Sequence, residues 1–239
     1  MFRPDFRKRI ERFVPAFVLR LIDPFHTRLR KRIEEAARSL PPEAMVLDVG
    51  AGESPHAPLF EHTRYYTIDR GIGDVNWDYS RIGLVGDAHA LPFRDASFDA
   101  VLNIQVLEHL MEPRVAVAEF GRVLKPGGKL FLSTVQCWET HQHPNDFFRF
   151  TRYGMEYLFQ KGGFRDIEVE SIGGFFWLLA FRLINVLSFF QQGWRWILFV
   201  PLAPVFGLLL PGILYFLDPL DRKRDYTLGF FSQGVRHGD

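Results

Sequence analysis

Val46-Leu47-Asp48-Val49-Gly50-Ala51-Gly52-Glu53-Ser54-Pro55 is the stretch that decides the fold of this chain. Its apolar run ends at an acidic residue and two spaced glycines, which predicts a strand followed by a tight turn that a ligand can approach closely. Ser54 is a favourable N-cap and Pro55 is favourable at the first helical position, so we expect a helix to begin there. A strand, a Gly-x-Gly turn and a helix N-terminus together indicate a nucleotide-type site on an α/β sheet.

The acids around this turn indicate which ligand it binds. A pyrophosphate prefers free N–H groups without a carboxylate nearby, whereas Asp48 precedes the turn and Glu53 follows it. Pro55 also stands where the dinucleotide fingerprint has its third glycine. Carboxylates here suit a cationic ligand, so S-adenosylmethionine, with its sulfonium and ammonium groups, fits better than NAD. The alternative is an ordinary strand-to-helix turn of an α/β domain.

Five further motifs follow the glycine turn in order. They are Tyr65-Tyr66-Thr67-Ile68-Asp69, residues 84–93 (LVGDAHALPF), residues 97–103 (SFDAVLN), residues 106–110 (VLEHL) and residues 122–132 (RVLKPGGKLFL). In this order and spacing, the set closely resembles the class I S-adenosylmethionine-dependent methyltransferases, in the branch that includes the quinone-biosynthesis methyltransferases. The resemblance covers roughly residues 44–170 and returns at the C-terminus.

The resemblance implies a cofactor site built from residues that follow the first strands of the sheet. The residues expected there are Asp48, Gly50 and Gly52 at the methionine part, Asp69 at the ribose, Asp87 and Ala88 at the adenine edge, and Gln105 on the sulfonium side. The chain departs from the family in two places. Ser54 and Pro55 stand where a third glycine is common, and residues 70–80 are too rich in Gly and Asp for the usual helix between the second and third strands.

Composition narrows the function classes. The length of 239 residues allows one α/β domain with an elaboration, and the formal net charge of +1 argues against a generally basic nucleic-acid binder. Cys137 is the single cysteine, so no internal disulfide framework is expected, which is consistent with a reducing compartment. Charges interrupt every early apolar run, and we therefore expect no signal peptide.

Residues 1–40 form an extension that differs from the rest of the chain. Eleven basic and five acidic residues occur here, and Phe6, Ile10, Phe13 and Phe17 have helical spacing. A basic helix with an aromatic face is typical of a membrane-surface segment. The alternative is a helix that covers the sheet or the substrate site. Residues 28–39 predict a second, charged helix.

Residues 41–171 and 224–236 are predicted to form the methyltransferase domain, a Rossmann-like sheet of seven strands. The loop 138–153 follows the fifth strand and should overlie the transferred methyl group, because ligands of such sheets bind beyond the strand C-termini. We expect His143, Asp146 and Arg149 to position the acceptor. No metal site is predicted, because the His141-x-His143-x-x-Asp146 spacing matches no standard site. Glu108 and His109 are interpreted as fixing the loop, with acid–base catalysis as the alternative.

Residues 172–223 are predicted to be an apolar helical insertion between strands six and seven. Across 172–217 only Arg182 and Arg195 are charged, and residues 196–217 are long enough to span a bilayer. Prolines and glycines interrupt this run, and the seventh strand, expected over 226–235, must return to the sheet. A re-entrant or interface-lying hairpin satisfies both conditions, whereas a single crossing does not. A buried helical cap or a homodimer interface is the alternative.

Together these features predict a cytoplasmic S-adenosylmethionine-dependent methyltransferase, peripheral or monotopic on the membrane, that acts on a small or amphiphilic, lipid-like acceptor and binds no nucleic acid. One alternative is a soluble methyltransferase that uses the insertion to form a homodimer or to bind a partner. The other is a cofactor-binding scaffold without turnover.

Overall fold

Seven strands form one sheet in the computed structural model, which describes residues 23–73 and 76–238. The strands are β1 (Met45–Val49), β2 (Arg64–Asp69), β3 (Leu84–Val85), β4 (Phe98–Ile104), β5 (Leu124–Val135), β6 (Phe164–Ile172) and β7 (Gly229–Arg236). Their order is β3-β2-β1-β4-β5-β7-β6, with β1 to β5 parallel and β7 antiparallel to β5. The predicted seven-stranded Rossmann-like sheet is therefore confirmed.

The strand order places a ligand site at the ends of β1 and β4. From β1 the chain first adds β2 and β3 on one side, and it then adds β4 and β5 on the other. Asp48 lies in register with Thr67 of β2 and Leu102 of β4, so the carboxyl ends of three strands meet at this point. In open α/β sheets, ligands bind outside the carboxyl ends of the strands where the order reverses.

Among residues 23–73 and 76–238, three α-helices lie outside the insertion between β6 and β7: α1 (Pro24–Arg38), α2 (Pro113–Val123) and α3 (Arg152–Lys161). The charged helix predicted over 28–39 corresponds to α1, which begins four residues earlier and ends at Arg38. The aromatic stripe from Phe6 to Phe17 falls outside the described residues. Thr151 before residues 152–161 and the Gly162-Gly163 pair after them predict a capped helix that ends at Gly162. The structure agrees: the Thr151 Oγ1 accepts a hydrogen bond of 3.1 Å from the Gly154 N–H, and α3 ends at Gly162.

The segment after the glycine turn differs from the prediction. No α-helix begins at Ser54 and Pro55; a single 3₁₀ turn, Ala57–Leu59, connects β1 and β2 instead. Ser54 has a φ of +54°, which is a left-handed conformation and not the extended one of an N-cap. Pro58 then removes a backbone donor only three residues after Pro55. Between β2 and β3 the described residues form one 3₁₀ turn, Tyr79–Arg81. The usual helix is therefore absent from the described part of residues 70–80, as predicted.

The described chain divides into two compact units. The first, which we call the sheet unit, contains Leu29–Glu170 and residues 229–238. The second, the hairpin unit, contains residues 23–28 and Ser171–Leu228. The core of the sheet unit is strongly aromatic: Phe60, Phe120, Phe131, Phe159 and Phe230 are each at most 1% exposed.

An apolar helical hairpin dominates the hairpin unit and lies between β6 and β7 in the sequence, as predicted. It consists of α4 (Phe175–Val186), the 3₁₀ turns Leu187–Phe190 and Gly193–Arg195, α5 (Trp196–Pro204), a π-helical segment (Val205–Leu209) and α6 (Leu210–Leu217). α4 packs against α6, where the rings of Trp177 and Tyr215 lie 4.9 Å apart. The π segment follows Pro204, so the prolines perturb the helical run without ending it.

The two ends of the hairpin are tied together by hydrogen bonds. Asp218 Oδ1 accepts from the Gly174 and Trp177 N–H groups at 3.1 Å each. Asp221 Oδ2 accepts from the Phe175 N–H at 2.8 Å. These carboxylates cap the otherwise free N–H groups at the start of α4. The chain therefore enters and leaves the hairpin at the same end, which we call the hairpin base.

Candidate cofactor and acceptor site

The glycine turn at the end of β1 requires glycine at both spaced positions. Gly50 and Gly52 have φ values of +80° and +53°, in the left-handed region that favours glycine. A Cβ at Gly50 would lie 2.4 Å from the Val106 Cγ2, and one at Gly52 would lie 3.1 Å from the ring of Trp77. The Gly50 N–H donates to the Ile68 carbonyl at 2.8 Å, which fixes the turn across the end of β2.

Asp69 is held at this turn by two backbone donors. Its Oδ2 accepts from the Gly52 N–H at 2.9 Å, and its Oδ1 accepts from the Gly71 N–H at 2.7 Å. These bonds orient the carboxylate and leave each oxygen with further capacity to accept a hydrogen bond. The arrangement suits a pair of ligand hydroxyls, as the resemblance implied for a ribose.

Asp48 lies in the strand just before the turn and is only 2% exposed. Burial raises the pKa of this carboxyl to about 7, against a lowering by the hydrogen bond that it accepts from the Tyr65 hydroxyl; the nearby charge of Asp69 raises the pKa further. A buried carboxylate without a cationic partner is costly, and a bound cation relieves that cost. This position therefore favours a positively charged ligand group.

Asp87 and Ala88 follow β3, and Ala88 is 6% exposed. Asp87 Oδ1 accepts from the His89 N–H at 2.9 Å and lies 2.6 Å from His89 Nδ1. Burial alone would raise the pKa of Asp87, but these contacts and the Arg70 guanidinium outweigh it and lower the pKa. The carboxylate is therefore ionised and held in one orientation.

Gln105 directly follows β4 with a φ of +58°. Its backbone N–H donates to the Ser133 carbonyl, and its Nε2 donates to the Ser133 Oγ, both at 2.8 Å. The residue therefore links the ends of β4 and β5, next to the glycine turn on β1.

The loop after β5 is organised around the ion pair between Asp146 and Arg149. The Arg149 Nη1 and Nη2 donate to the two Asp146 carboxylate oxygens at 2.6 and 2.7 Å. Arg149 also donates to the carbonyls of Trp138, Glu139 and Phe148, at 3.2, 2.9 and 2.7 Å. These contacts fix the loop conformation, whereas His143 is exposed on the same loop.

A second cluster, which the sequence did not bring together, joins Glu108, His109 and His141. Glu108 is fully buried, and its Oε2 accepts from the Thr134 Oγ1 at 2.7 Å. The rings of His109 and His141 meet edge to face at 4.7 Å. Among the described residues, the buried Glu108 Oε1 and His109 Nε2 have no hydrogen-bond partner.

This cluster can exchange protons near neutral pH. Burial raises the pKa of Glu108 to about 7 and lowers the pKa of His109. His109 Nδ1 is bonded to the Asn145 carbonyl, which only a protonated Nδ1 can satisfy, so the neutral ring has its acceptor at Nε2. The three side chains also bring ligand atoms within 4.8 Å of one another, so they could hold a metal ion.

The structure thus supports both interpretations of Glu108 and His109. The Glu108 carbonyl accepts from the Phe147 and Phe148 N–H groups, at 2.9 and 3.2 Å, so this segment does fix the loop. Glu108 Oε1 and His109 Nε2 have no hydrogen-bond partner among the described residues, which is compatible with the acid–base alternative. Sequence reasoning named His141 separately, and no local pattern indicated that it meets residues about thirty positions earlier. Trp77, whose ring covers Gly52, was also missed because it lies in a segment without periodicity.

Comparison with known proteins agrees with the fold and with the predicted resemblance. Residues 47–132 match a family described as methyltransferase domain. A demethylmenaquinone methyltransferase from Renibacterium salmoninarum is 36% identical over 119 residues, which is 44% of this chain and 47% of that protein. A ubiquinone biosynthesis O-methyltransferase from Xanthomonas axonopodis pv. citri is 37% identical over 130 residues, 47% of this chain and 52% of that protein. The chain thus spans about half the length of these curated relatives.

Two solved structures show the same fold at low identity. Phosphoethanolamine N-methyltransferase 2 from Haemonchus contortus, in complex with S-adenosyl-L-methionine, has a TM-score of 0.56 and 18% identity, covering 98% of this chain and 60% of that chain. The [4+2]-cyclase SpnF has a TM-score of 0.55 and 21% identity, covering 88% of this chain and 82% of that chain. The family match, the relatives and the fold agree with the resemblance described above: residues 47–132 match a methyltransferase domain, and the chain is similar to S-adenosylmethionine-dependent methyltransferases of class I.

Proposed function

We propose that this chain transfers a methyl group from S-adenosylmethionine to a small or amphiphilic, lipid-like acceptor at the membrane surface. The observation that carries the proposal is the set of acids around the glycine turn. Asp48 and Asp69 lie at the ends of neighbouring parallel strands, and the buried Asp48 has no cation near it among the described residues. A ligand with an ammonium group and a pair of ribose hydroxyls satisfies both acids.

In this proposal each acid contacts a different part of the cofactor. Asp48 faces the ammonium group, and Asp69, already oriented by two N–H donors, accepts from the ribose hydroxyls. Asp87 and Ala88 contact the adenine edge, and Gln105 lies on the sulfonium side. Gly50 and Gly52 keep the turn free of side chains so that the cofactor can approach the backbone.

The reaction is an in-line displacement at the methyl carbon, in which alignment of the two reactants supplies most of the acceleration. Asp146 and Arg149 contribute by fixing the loop after β5, and His143 contacts the acceptor from that loop. His109 accepts the acceptor's proton at its unpartnered Nε2, since burial keeps its pKa below the usual range.

The acceptor class is supported by the named relatives, which include demethylmenaquinone and ubiquinone-biosynthesis methyltransferases. Both names point to quinone rings, which are amphiphilic when prenylated. An acceptor of that kind resides in a membrane, so an enzyme that modifies it gains from attachment to the same surface.

The hairpin supports attachment without a net crossing. Gly193–Leu220 is the one helix among the described residues long and apolar enough to cross a membrane, by length and composition alone. It has 28 residues, so it is about 42 Å long, and exposed apolar side chains such as Ile197, Leu209 and Phe216 line it at 76%, 60% and 83% exposure. Both ends of the hairpin meet at its base, and Arg182 at the middle of α4 disfavours deep insertion of that helix.

Flotation with liposomes tests the membrane part of the proposal. A charge among the exposed apolar side chains of Gly193–Leu220 should weaken membrane binding by ~1–3 kcal/mol. The double variant Ile197→Glu/Phe216→Glu should therefore bind liposomes at least about tenfold more weakly than the parent. Met111→Glu/Val115→Glu adds the same two charges at exposed apolar positions of the sheet unit; this control variant should bind like the parent. Protease added outside sealed vesicles should leave no protected fragment. A protected fragment would establish a crossing, and a stable dimer without lipid affinity would favour the soluble alternative.

A further inference from the structure

A cleft of about 510 Å³ opens at the hairpin base, within the size range of small-molecule sites. One part of its wall is apolar and the other is charged. The lining residues are Phe175, Phe176, Leu220 and Tyr226 on the apolar part, and Asp221, Arg222, Lys223 and Asp225 on the charged part. Such a division suits an amphiphile, with a charged group beside a hydrocarbon portion.

Two acidic and two basic residues line the cleft, so its formal charges cancel. One of the acids, Asp221, is already stabilised by backbone N–H donors. Asp221 accepts from the Phe175 N–H at 2.8 Å and from the Arg224 N–H at 3.1 Å, and these donors lower its pKa. The buried Asp218 pairs with the Arg224 Nη1 at 3.0 Å. The Gly174, Phe175 and Trp177 N–H groups at the start of α4 are thus already bonded to carboxylates, which disfavours an anion at that point.

Arg222 and Lys223 remain available to a ligand. Both are exposed, and neither forms an ion pair with any residue between 23 and 73 or between 76 and 238. Beside them stand Leu220 and Tyr226, at 70% and 59% exposure. Two cations next to exposed apolar side chains, at the end of a long apolar hairpin, match a phosphate that carries acyl chains.

We propose that the cleft at the hairpin base binds the phosphate of an anionic membrane phospholipid, with Arg222 and Lys223 on the phosphate and Phe175, Leu220 and Tyr226 against the glycerol and first methylenes. The inference rests on the proposed membrane attachment and deepens it by naming the lipid class. It also orients the hairpin, because the phosphate lies at headgroup level and so places the hairpin base there.

Flotation of the full chain with phosphatidylcholine vesicles, with and without phosphatidylglycerol, tests this inference. Arg222→Gln/Lys223→Gln should lose roughly tenfold to thirtyfold in partitioning to the phosphatidylglycerol vesicles at low salt. It should bind pure phosphatidylcholine vesicles like the parent. Arg94→Gln/Arg114→Gln removes the same charge from exposed positions of the sheet unit and should stay close to the parent.

Neither the cleft pair nor the control pair belongs to the proposed cofactor site. Retained cofactor affinity therefore reports that each variant is folded. If the cleft variant lost it, the single substitution Lys223→Gln would replace the pair, with an expected loss of about fivefold. A short-chain phosphatidylglycerol should displace the protein from vesicles, and inorganic phosphate at the same concentration should not.

The outcomes separate this inference from the proposed function. A cleft variant that partitions to vesicles like the parent would refute phospholipid binding in the cleft while leaving membrane attachment in place. A control variant that loses as much partitioning as the cleft variant would do the same. Displacement by inorganic phosphate would show that the cleft binds a free anion and would refute the lipid as its ligand. A parent that floats with neither vesicle would refute membrane attachment and this inference together.

Discussion

Replacing Asp48 by Asn should stabilise the ligand-free protein and weaken cofactor binding, because the charge of Asp48 has opposite effects on the two. Asp48 is 2% exposed, and burial raises its pKa to about 7 from the usual 3.8. A carboxyl with a raised folded pKa stabilises the fold fully below its unfolded pKa, and this contribution is lost as the pH rises through about 7. The carboxylate therefore destabilises the ligand-free protein by ~2–4 kcal/mol above pH 7.

Asn keeps the shape and an acceptor for the Tyr65 hydroxyl but cannot ionise. Asp48→Asn should therefore raise the free energy of unfolding by ~2–4 kcal/mol at pH 8, and by less than ~1 kcal/mol at pH 4, where folded Asp48 is protonated and only the unfolded chain is partly ionised. Urea unfolding of the ligand-free protein at the two pH values measures this difference. An equal effect at both values would show that ionisation of Asp48 is not its cause.

The same carboxylate should couple cofactor binding to proton release. If the ammonium group pairs with Asp48, binding at pH 7 should release about half a proton, since a group with a pKa near 7 is half protonated there. Calorimetry in two buffers of different ionisation enthalpy measures the release. Asp48→Asn should abolish it and weaken binding at pH 8 by ~1.5–3 kcal/mol, the worth of a charge-assisted bond. Unchanged affinity without proton release in the parent would refute the placement of the ammonium group.

Three further predictions concern other parts of the site. Asp69→Ala should weaken S-adenosylmethionine binding by ~1–3 kcal/mol, because the ribose hydroxyls lose their acceptor; unchanged affinity in calorimetry would remove Asp69 from the site, and tight NAD binding by the parent would overturn the cofactor. Arg149→Ala should lower kcat while keeping the cofactor Kd within about threefold, because the loop loses its internal bonds; a proportional loss of cofactor affinity would make the loop part of the cofactor lid. Glu108→Gln should flatten the pH dependence of kcat/KM near pH 7, where the pKa of Glu108 lies; an unchanged pH profile would exclude Glu108 from proton transfer.

Strands and turns were predictable because their signals are local. The run before Gly50 is apolar on both faces of the sheet, and the glycines at 50 and 52 have left-handed φ values that few other residues adopt. Thr151 and Gly162 marked the two ends of α3 for the same reason. The order and spacing of such motifs then predicted the methyltransferase domain that residues 47–132 match.

Features that depend on competing or distant contacts were not predictable. The cap and proline signals at residues 54 and 55 indicated a helix, but Ser54 became part of the turn itself, and Pro58 limited what followed. Glu108 and His141 lie more than thirty residues apart, and only the loop conformation brings them together. The roles of His143, Asp146 and Arg149 at the acceptor remain predictions, since the structure reports their contacts with the protein alone.

The central claim, methyl transfer to a membrane-resident acceptor, is tested most directly with S-adenosylmethionine labelled in its methyl carbon. The vesicle-bound parent protein is supplied with a membrane lipid extract, and label is measured in the organic phase. The account predicts label in a lipid-soluble product, lost in Asp69→Ala and reduced in Ile197→Glu/Phe216→Glu. Cofactor binding without label in any product, or label only in water-soluble products at a rate independent of vesicles, would contradict it.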